Sequence, residues 1–381
     1  MRFLCAAVVL MIVAMGVGRF AYTPLLPLME HGAGLSYQMA GLIASSNLAG
    51  YLVGAIFASG ARFRARRLQA AWWAIAVVIV TTALVAVTPQ AAWTVIRFIT
   101  GVASGFAFVL GSSILLDRAA REGRPDWIAI FYGGVGAGIA LTAIAVPPLG
   151  AWGGWRAGWL GLALISFAIC CVTMPWLTDS ANAEIASDEQ EGSNLDPRLF
   201  AWLFAAYSAQ GMGYVIPATF MVAMIASSPS IAGFASASWI VVGLVAIPST
   251  IIWNRLGIAF GRDVALVLAL LVMAIGAIAP VGAPNAFGVI VAAATLGGTF
   301  LGVVALTTGL ARALQPHQSH IAIGRLTAGF GVGQILGPAV AGILIADSGS
   351  YTTALVVASS VLFLSALLMA CGAISARTRL A

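Results

Sequence analysis

Long apolar segments, separated by short stretches rich in Gly, Pro and Arg, run along almost the whole chain. Each is long enough to cross the hydrocarbon core of a bilayer as an α-helix, which takes about 20 residues. We expect helices near 3–29, 36–59, 70–88, 91–117, 127–149, 156–176, 198–225, 234–253, 263–282, 285–310, 320–346 and 352–374. The pattern therefore predicts an all-α integral membrane protein with 12 transmembrane helices.

One polar segment interrupts this series between the sixth and the seventh helix. It runs from Thr178 to Pro197 and contains six of the 12 acidic residues of the chain, so it is too polar to enter a membrane. We expect an N-terminal six-helix bundle over 1–176, a cytoplasmic acidic linker over 177–197 and a C-terminal six-helix bundle over 198–381.

The two halves share a faint internal repeat. Gly16–Gly18 in the first helix matches Gly211–Gly213 in the seventh, and Gly101 in the fourth matches Gly298 in the tenth. Because these matches occur in a common order, they indicate two pseudo-symmetric six-helix bundles that arose by duplication.

The composition excludes a soluble protein and argues against one source of energy for transport, the hydrolysis of ATP. Hydrophobic residues make up 61% of the chain and charged residues 8%, against about 45–50% and about 25% in soluble domains. All 18 basic residues are arginine, so the chain has no lysine for a P-loop or a Schiff base. This argues against ATP-driven pumping by this chain alone.

The arginines predict how the chain is oriented. They concentrate at the termini and in the loops on one side of the membrane, and only Arg156 lies in a loop on the other side. Cytoplasmic loops carry the arginine excess in membrane proteins. We therefore expect a multi-pass protein of the bacterial inner membrane with both termini in the cytoplasm, and we assign its net charge of +6 to topology rather than to nucleic-acid binding.

The residues that carry catalysis or bind metals are sparse. The four cysteines lie in apolar segments, and the three histidines are expected in loops without metal-ligand spacing. An enzyme embedded in the membrane would need a Ser-His, paired-Asp or His-Asp constellation within a span. We therefore expect no metal, no cofactor and no catalytic residues.

Several motifs resemble those of the major facilitator superfamily. Arg97 is followed one turn later by Gly101, a Gly-Trp-Arg junction begins at Gly154, and GVGQILGPAVAG occupies Gly331–Gly342. More narrowly, GVGRFAYTPLLPLM over Gly16–Met29 resembles the start of the YbfB/YjiJ branch of this superfamily.

This resemblance implies two six-helix bundles around a central cavity that is lined by the first, fourth, seventh and tenth helices. It also implies a monomeric secondary transporter in membrane lipid, which moves a small molecule by alternating access and is coupled to protons. Three alternatives stay open: a facilitator without proton coupling, an efflux pump of broad specificity, and a sensor or scaffold with the same fold and no transport.

The chain departs from the superfamily pattern at the cytoplasmic loops. The usual Asp-Arg-x-Gly-Arg-Arg element after the second helix is replaced by 62–67, which has arginines and no aspartate. Its counterpart after the eighth helix survives in part as Asn254, Arg255, Leu256 and Gly257. In the fifth helix, Ile139 stands where an antiporter-type proline is expected, which weakens an efflux function.

Two arginines are the main candidates for substrate binding. Arg19 and Arg97 lie within spans, where an ionisable side chain is costly and marks a functional site by default. Tyr22 shares a helix face with Arg19, and the repeat places Tyr214 opposite it. Since we find no acidic residue near the middle of any span, we expect these guanidiniums to bind an anionic or carboxylate-bearing solute. Alternatively, Arg97 donates to backbone carbonyls and Arg19 extends toward the membrane surface.

Further polar residues complete the predicted site and its gates. Asn47, Gln210 and Gln334 lie near the middle of their spans, and each must bond either substrate or a neighbouring helix. For gating or coupling we select residues near the span ends: Glu30, Asp117, Arg66 and Arg255. We expect Asp117 to pair with loop arginines such as Arg66 at the cytoplasmic gate.

Overall fold

A computed structural model describes residues 1–60, 63, 66–179, 198–315 and 318–377. The predicted linker over 177–197 lies outside these ranges apart from its first three residues. The helices are α1 (Arg2–Ala33), α2 (Tyr37–Ala58), α3 (Arg67–Val87), α4 (Gln90–Arg121), α5 (126–152), α6 (155–173), α7 (Arg198–Ser227), α8 (Ala235–Phe260), α9 (Arg262–Gly282), α10 (Ala286–Leu314), α11 (Ser319–Ser348) and α12 (Tyr351–Arg377).

The number of spans depends on one long helical segment. Eleven segments of the described ranges are long and apolar enough to cross a membrane, and the longest, Asp126–Trp176, has 51 residues. As one straight helix it would reach about 75 Å, more than twice the hydrocarbon thickness. It breaks at Gly153 and at Gly154, where φ is 64°, a left-handed conformation that favours glycine. α5 and α6 are therefore separate spans, and the prediction of 12 transmembrane helices is confirmed.

Helix boundaries follow local sequence signals. α2 begins after Ser36, whose hydroxyl accepts from the N–H of Met39, and α10 begins after Asn285, whose side chain accepts from two backbone N–H groups. Most predicted ends lie within four residues of the observed ones. The prediction for α8 ended too early, at 253, because Arg255 and its neighbours extend the helix to Phe260 beyond its apolar stretch.

α1 is not a regular α-helix over its whole length. Residues Ile12–Phe20 form a π-helical segment, in which the usual hydrogen bonds run from i to i+5. Such a bond to the carbonyl of Arg19 would have to come from residue 24, which is a proline without an N–H. The carbonyl of Arg19 therefore lacks this donor, and the Arg97 guanidinium lies 3.4 Å from it.

The two halves, α1–α6 and α7–α12, cross each other through glycines. A side chain at Gly41 of α2 would collide with the carbonyl oxygen of Pro338 in α11. Likewise, a Cβ at Gly136 of α5 would lie 2.5 Å from the carbonyl oxygen of Gly243 in α8. Small residues at these positions let the backbones approach closely, as is common where helices cross in membranes.

The helices alternate in direction, which gives the molecule two ends. We call the end that carries residues 2 and 177–179 the linker end. We call the opposite end the far end. It carries the turns at 34–36, 88–89, 153–154, 228–231, 283–285 and 349–350.

Candidate functional site

Arg19 joins the two halves near the middle of the molecule. Its Nη2 donates to the hydroxyl oxygen of Tyr214 over 2.6 Å, from α1 to α7. That oxygen also accepts from Nε2 of Gln334 in α11. The Arg19 guanidinium carbon lies 5.1 Å from the ring centroid of Phe20 and 5.4 Å from that of Tyr51. The structure thus brings Arg19, Tyr214 and Gln334 into one hydrogen-bonded cluster.

Arg97 is buried and has few partners. Its side chain is 1% exposed, and its one hydrogen bond in the described residues is the 3.4 Å donation from Nη2 to the carbonyl of Arg19. Nε and Nη1 have no partner. The guanidinium carbon lies 5.7 Å from the ring centroid of Tyr22 and 5.4 Å from that of Trp159. Aromatic faces therefore replace much of the polar contact that a buried cation requires.

Asn47 and Tyr22 hold the arginines in place through the backbone. The Asn47 side chain donates to the carbonyl oxygens of Arg97, at 2.9 Å, and Gly18, at 3.3 Å. The Tyr22 hydroxyl donates over 3.0 Å to the carbonyl of Ala40. These bonds connect α1, α2 and α4, so both side chains fix the backbone that carries the guanidiniums.

A small cavity lies where these groups meet. It has a volume of about 30 Å³, room for one or two water molecules. Its lining includes Arg19, Tyr22, Asn47 and Arg97 from the first half and Thr219 from the second. No carboxylate of the described residues lines it, so the cavity is cationic. An organic solute needs more room, which requires side chains or helices to move.

Gln210 does not join this site. It is fully buried in α7, and its Nε2 faces the sulfur of Met273 in α9 at 3.7 Å, while Oε1 has no partner among the described residues. It lies on the face of α7 that packs within the second half, which agrees with the alternative that Gln210 contacts a neighbouring helix. Its role in substrate binding stays a prediction.

A set of parallel aromatic rings adjoins Arg19 and was missed in the sequence. We call Tyr207, Tyr214, Phe300 and Phe330 the aromatic wall. The ring of Phe330 stacks on Tyr207 with a centroid distance of 4.5 Å and on Tyr214 with 5.7 Å. Phe300 lies parallel to Tyr214 at 6.3 Å, with 3° between the planes. These residues come from α7, α10 and α11, so no single helix shows the pattern.

Glu30 takes part in closing the far end. Both carboxylate oxygens accept from the hydroxyl of Tyr351 at 3.2 Å, which links α1 to α12. The ring of Tyr37 meets Tyr351 edge-on at 5.6 Å. Deeper in the molecule, the Thr23 hydroxyl donates to the carbonyl of Ala218 over 2.6 Å. The two halves therefore meet along the far side of the cavity.

At the linker end the partner of Asp117 is Arg67 rather than Arg66. Arg67 Nη1 donates to Asp117, and Nε and Nη2 donate to the two oxygens of Asp179 at 2.7 and 2.8 Å. Arg66 is exposed and bonds to none of the described residues, and Arg255 is also exposed. The expected pairing with Arg66 is wrong because Arg67 is the first residue of α3 and faces the end of α4.

Side chains that commonly bind metals are scattered over the described ranges. They contain no group of three or more His, Cys, Asp or Glu side chains that could hold a metal ion. The four cysteines are free. His31, expected in a loop, lies in the last turn of α1, where its Nδ1 is 2.7 Å from the carbonyl oxygen of Pro27.

Comparisons with known proteins identify the family and the fold of the chain. A family model described as the uncharacterised MFS-type transporter YbfB matches residues 11–370. No curated protein matches the chain. Among solved structures, the crystal structure of a D-xylose-proton symporter is similar, with a TM-score of 0.75, 13% sequence identity and 96% of each chain covered. At this identity the likeness shows the fold alone. Because the family model covers nearly the whole chain, this protein belongs to the family of MFS-type transporters described as YbfB, a family of multi-pass membrane transporters.

Proposed function

We propose that this transporter moves a small organic anion across the bacterial inner membrane by alternating access between its two halves. The observation that carries the proposal is Arg97, a guanidinium that is 1% exposed and has two unpartnered nitrogens. A buried charge without a partner is costly. A carboxylate or phosphate ester in the adjoining cavity would supply the missing acceptors.

Arg19 connects anion binding to the contact between the two halves. Arg19 is bonded to Tyr214 of the opposite half. A carboxylate is a stronger acceptor for a guanidinium than a phenol hydroxyl is. An entering anion that takes this donor from Tyr214 breaks a bond between the halves at the centre of the molecule. Substrate binding is thereby coupled to their separation.

We further propose that the transporter works as a monomer and is coupled to protons. The similar solved structure is that of a proton symporter, and Glu30 is the carboxylate that joins the halves beside Tyr351. We take Glu30 as the proton carrier of this proposal. The ion pair of Arg67 with Asp117 stabilises the linker end, which we place in the cytoplasm together with both termini because the arginines concentrate there.

The test is uptake into proteoliposomes containing the purified full-length chain. A panel of labelled mono- and dicarboxylates and phosphate esters is offered, and protein-free liposomes correct for leakage of neutral acids. We expect uptake of at least one anion. Arg97→Gln and Arg19→Gln should each reduce its apparent affinity roughly 10- to 100-fold, the effect of losing a hydrogen bond to a charged group.

Arg156→Gln serves as the matched control, because Arg156 is exposed at the far end. Unchanged uptake in both Arg19 and Arg97 variants would overturn the anion proposal. Anion binding without flux would instead identify a sensor. A dye trapped inside the liposomes reports pH, and a substrate-dependent pH change that Glu30→Gln abolishes would support proton coupling through Glu30.

A further inference from the structure

The aromatic wall indicates more about the substrate than its charge. Its members lie on three helices of the second half, yet their ring planes differ by only 3° to 10°. Phe330 is half-buried rather than buried, so part of the stack is accessible. Tyr214 lies in this stack between Phe330 and Phe300, and its hydroxyl accepts a hydrogen bond from Arg19.

The first half presents aromatic groups toward the same region. Tyr51 of α2 lies beside the Arg19 guanidinium at 5.4 Å, and Phe20 meets Phe300 edge-on at 6.0 Å. The hydroxyls of Tyr51 and Tyr207 bond to no other described residue, although Tyr207 is 6% exposed. Flat apolar faces and unused hydroxyls thus lie around Arg19, which lines the cationic cavity. The members of the wall do not line the cavity itself, so a substrate ring reaches them through the same movement that any organic solute requires.

We infer that the substrate is an aromatic acid, whose acidic group binds the guanidiniums of Arg19 and Arg97 and whose planar ring lies against the aromatic wall. This inference rests on the proposed function. Aromatic rings attract one another beyond the area they bury, because a ring has a negative face and a positive edge. A saturated ring of the same size buries a similar area without that attraction. The wall should therefore discriminate between flat and saturated rings.

The test measures binding to the full-length chain in lipid nanodiscs by calorimetry, with empty nanodiscs to subtract partitioning into lipid. The probes are benzoate, cyclohexanecarboxylate, butanoate and the neutral benzamide. We expect benzoate to bind tightest, cyclohexanecarboxylate roughly 3- to 10-fold more weakly, and benzamide not at all.

The outcomes separate this inference from the proposed function. Cyclohexanecarboxylate binding as tightly as benzoate would overturn the aromatic inference and leave an anion transporter. Failure of benzoate to bind, while another anion of the uptake panel is transported, would overturn the aromatic inference alone. Failure of every anion in both experiments would overturn the proposed function itself. Equal binding of benzoate and benzamide would also contradict a charge-based site.

Variants of the wall supply a second, independent readout. Phe330→Leu should bring the affinity ratio of benzoate to cyclohexanecarboxylate close to one by weakening the binding of benzoate most, and Phe330→Tyr should preserve the ratio. Phe363→Leu is the control, because Phe363 is 40% exposed in α12 and lies outside the wall. If Phe330→Leu weakened all acids equally, or if Phe363→Leu lowered the ratio as much, the wall would have a structural role only and the inference would fail.

Discussion

Replacing Arg97 with methionine separates a binding arginine from a structural one. Methionine has a similar length, is apolar and adapts to irregular spaces. If Arg97 binds an anion, its charge is a burden in the substrate-free protein. If it holds α4 to α1 through the carbonyl of Arg19, its loss weakens the fold. The two roles therefore predict opposite changes in the free energy of unfolding.

The magnitude follows from the contacts of this side chain. An arginine at the centre of a membrane helix costs about 2.5–3.5 kcal/mol on insertion scales. The rings of Tyr22 and Trp159, at 5.7 and 5.4 Å, return about 1–2 kcal/mol through cation–π attraction. The hydrogen bond at 3.4 Å is long and contributes about 0.5 kcal/mol. Arg97→Met should therefore stabilise the substrate-free protein by about 1 kcal/mol.

Unfolding in mixed micelles, followed by tryptophan fluorescence, measures this change with and without ligand. An anion at 100 times its dissociation constant should stabilise the wild type by about 2.7 kcal/mol and leave Arg97→Met unaffected. The variant should thus be the more stable protein without ligand and the less stable one with it. Arg156→Met, at an exposed position, should change neither value by more than about 0.5 kcal/mol. Destabilisation of ligand-free Arg97→Met by about 1 kcal/mol or more would refute the reasoning and identify a brace.

Three other predictions concern the contacts between helices. Gly41→Leu inserts a side chain where a carbonyl of α11 lies and should abolish uptake into proteoliposomes, whereas Gly233→Leu, with nothing within 4 Å of its Cβ position, should not. Arg67→Gln leaves two carboxylates without their partner and should lower the free energy of unfolding by about 1–3 kcal/mol. An equal decrease in the free energy of unfolding of Arg66→Gln would contradict this prediction. Tyr351→Phe removes the donor to the carboxylate of α1 and should speed hydrogen exchange at the far end roughly 10-fold or more, while unchanged exchange would show that this bond does not hold the far end closed.

The distribution of apolar residues along the chain was sufficient to predict the transmembrane helices. A backbone in lipid has to satisfy its hydrogen bonds internally, and a helix does so within one segment. The same distribution could not mark where α8 ends, since polar residues such as Arg255 continue a helix beyond the apolar region. It also gave no sign of the π-helical segment Ile12–Phe20, because apolar residues suit an α-helix and a π-helix alike.

Only part of the candidate site could be predicted from the sequence. Arg19 and Arg97 are conspicuous as charges in apolar segments, and the repeat pointed to Tyr214 as the residue across from Arg19. Which of the adjacent Arg66 and Arg67 meets Asp117 depends on the turn at which α3 begins, and the sequence does not fix that turn. The aromatic wall depends on the relative rotation of three helices, so its parallel rings became visible only in three dimensions.

The glycine crossings have a consequence for the rate of transport. Where side chains interdigitate, sliding one helix over another requires many rotamers to change together. At Gly41 and Pro338, and again at Gly136 and Gly243, backbone faces backbone, and a rocking motion encounters few such obstacles. We therefore expect the activation barrier to come from the polar contacts at the cavity and the far end. The turnover rate would then depend mainly on how fast the polar contacts between the halves break and on how well the solute replaces them. It would depend only weakly on the packing between the halves.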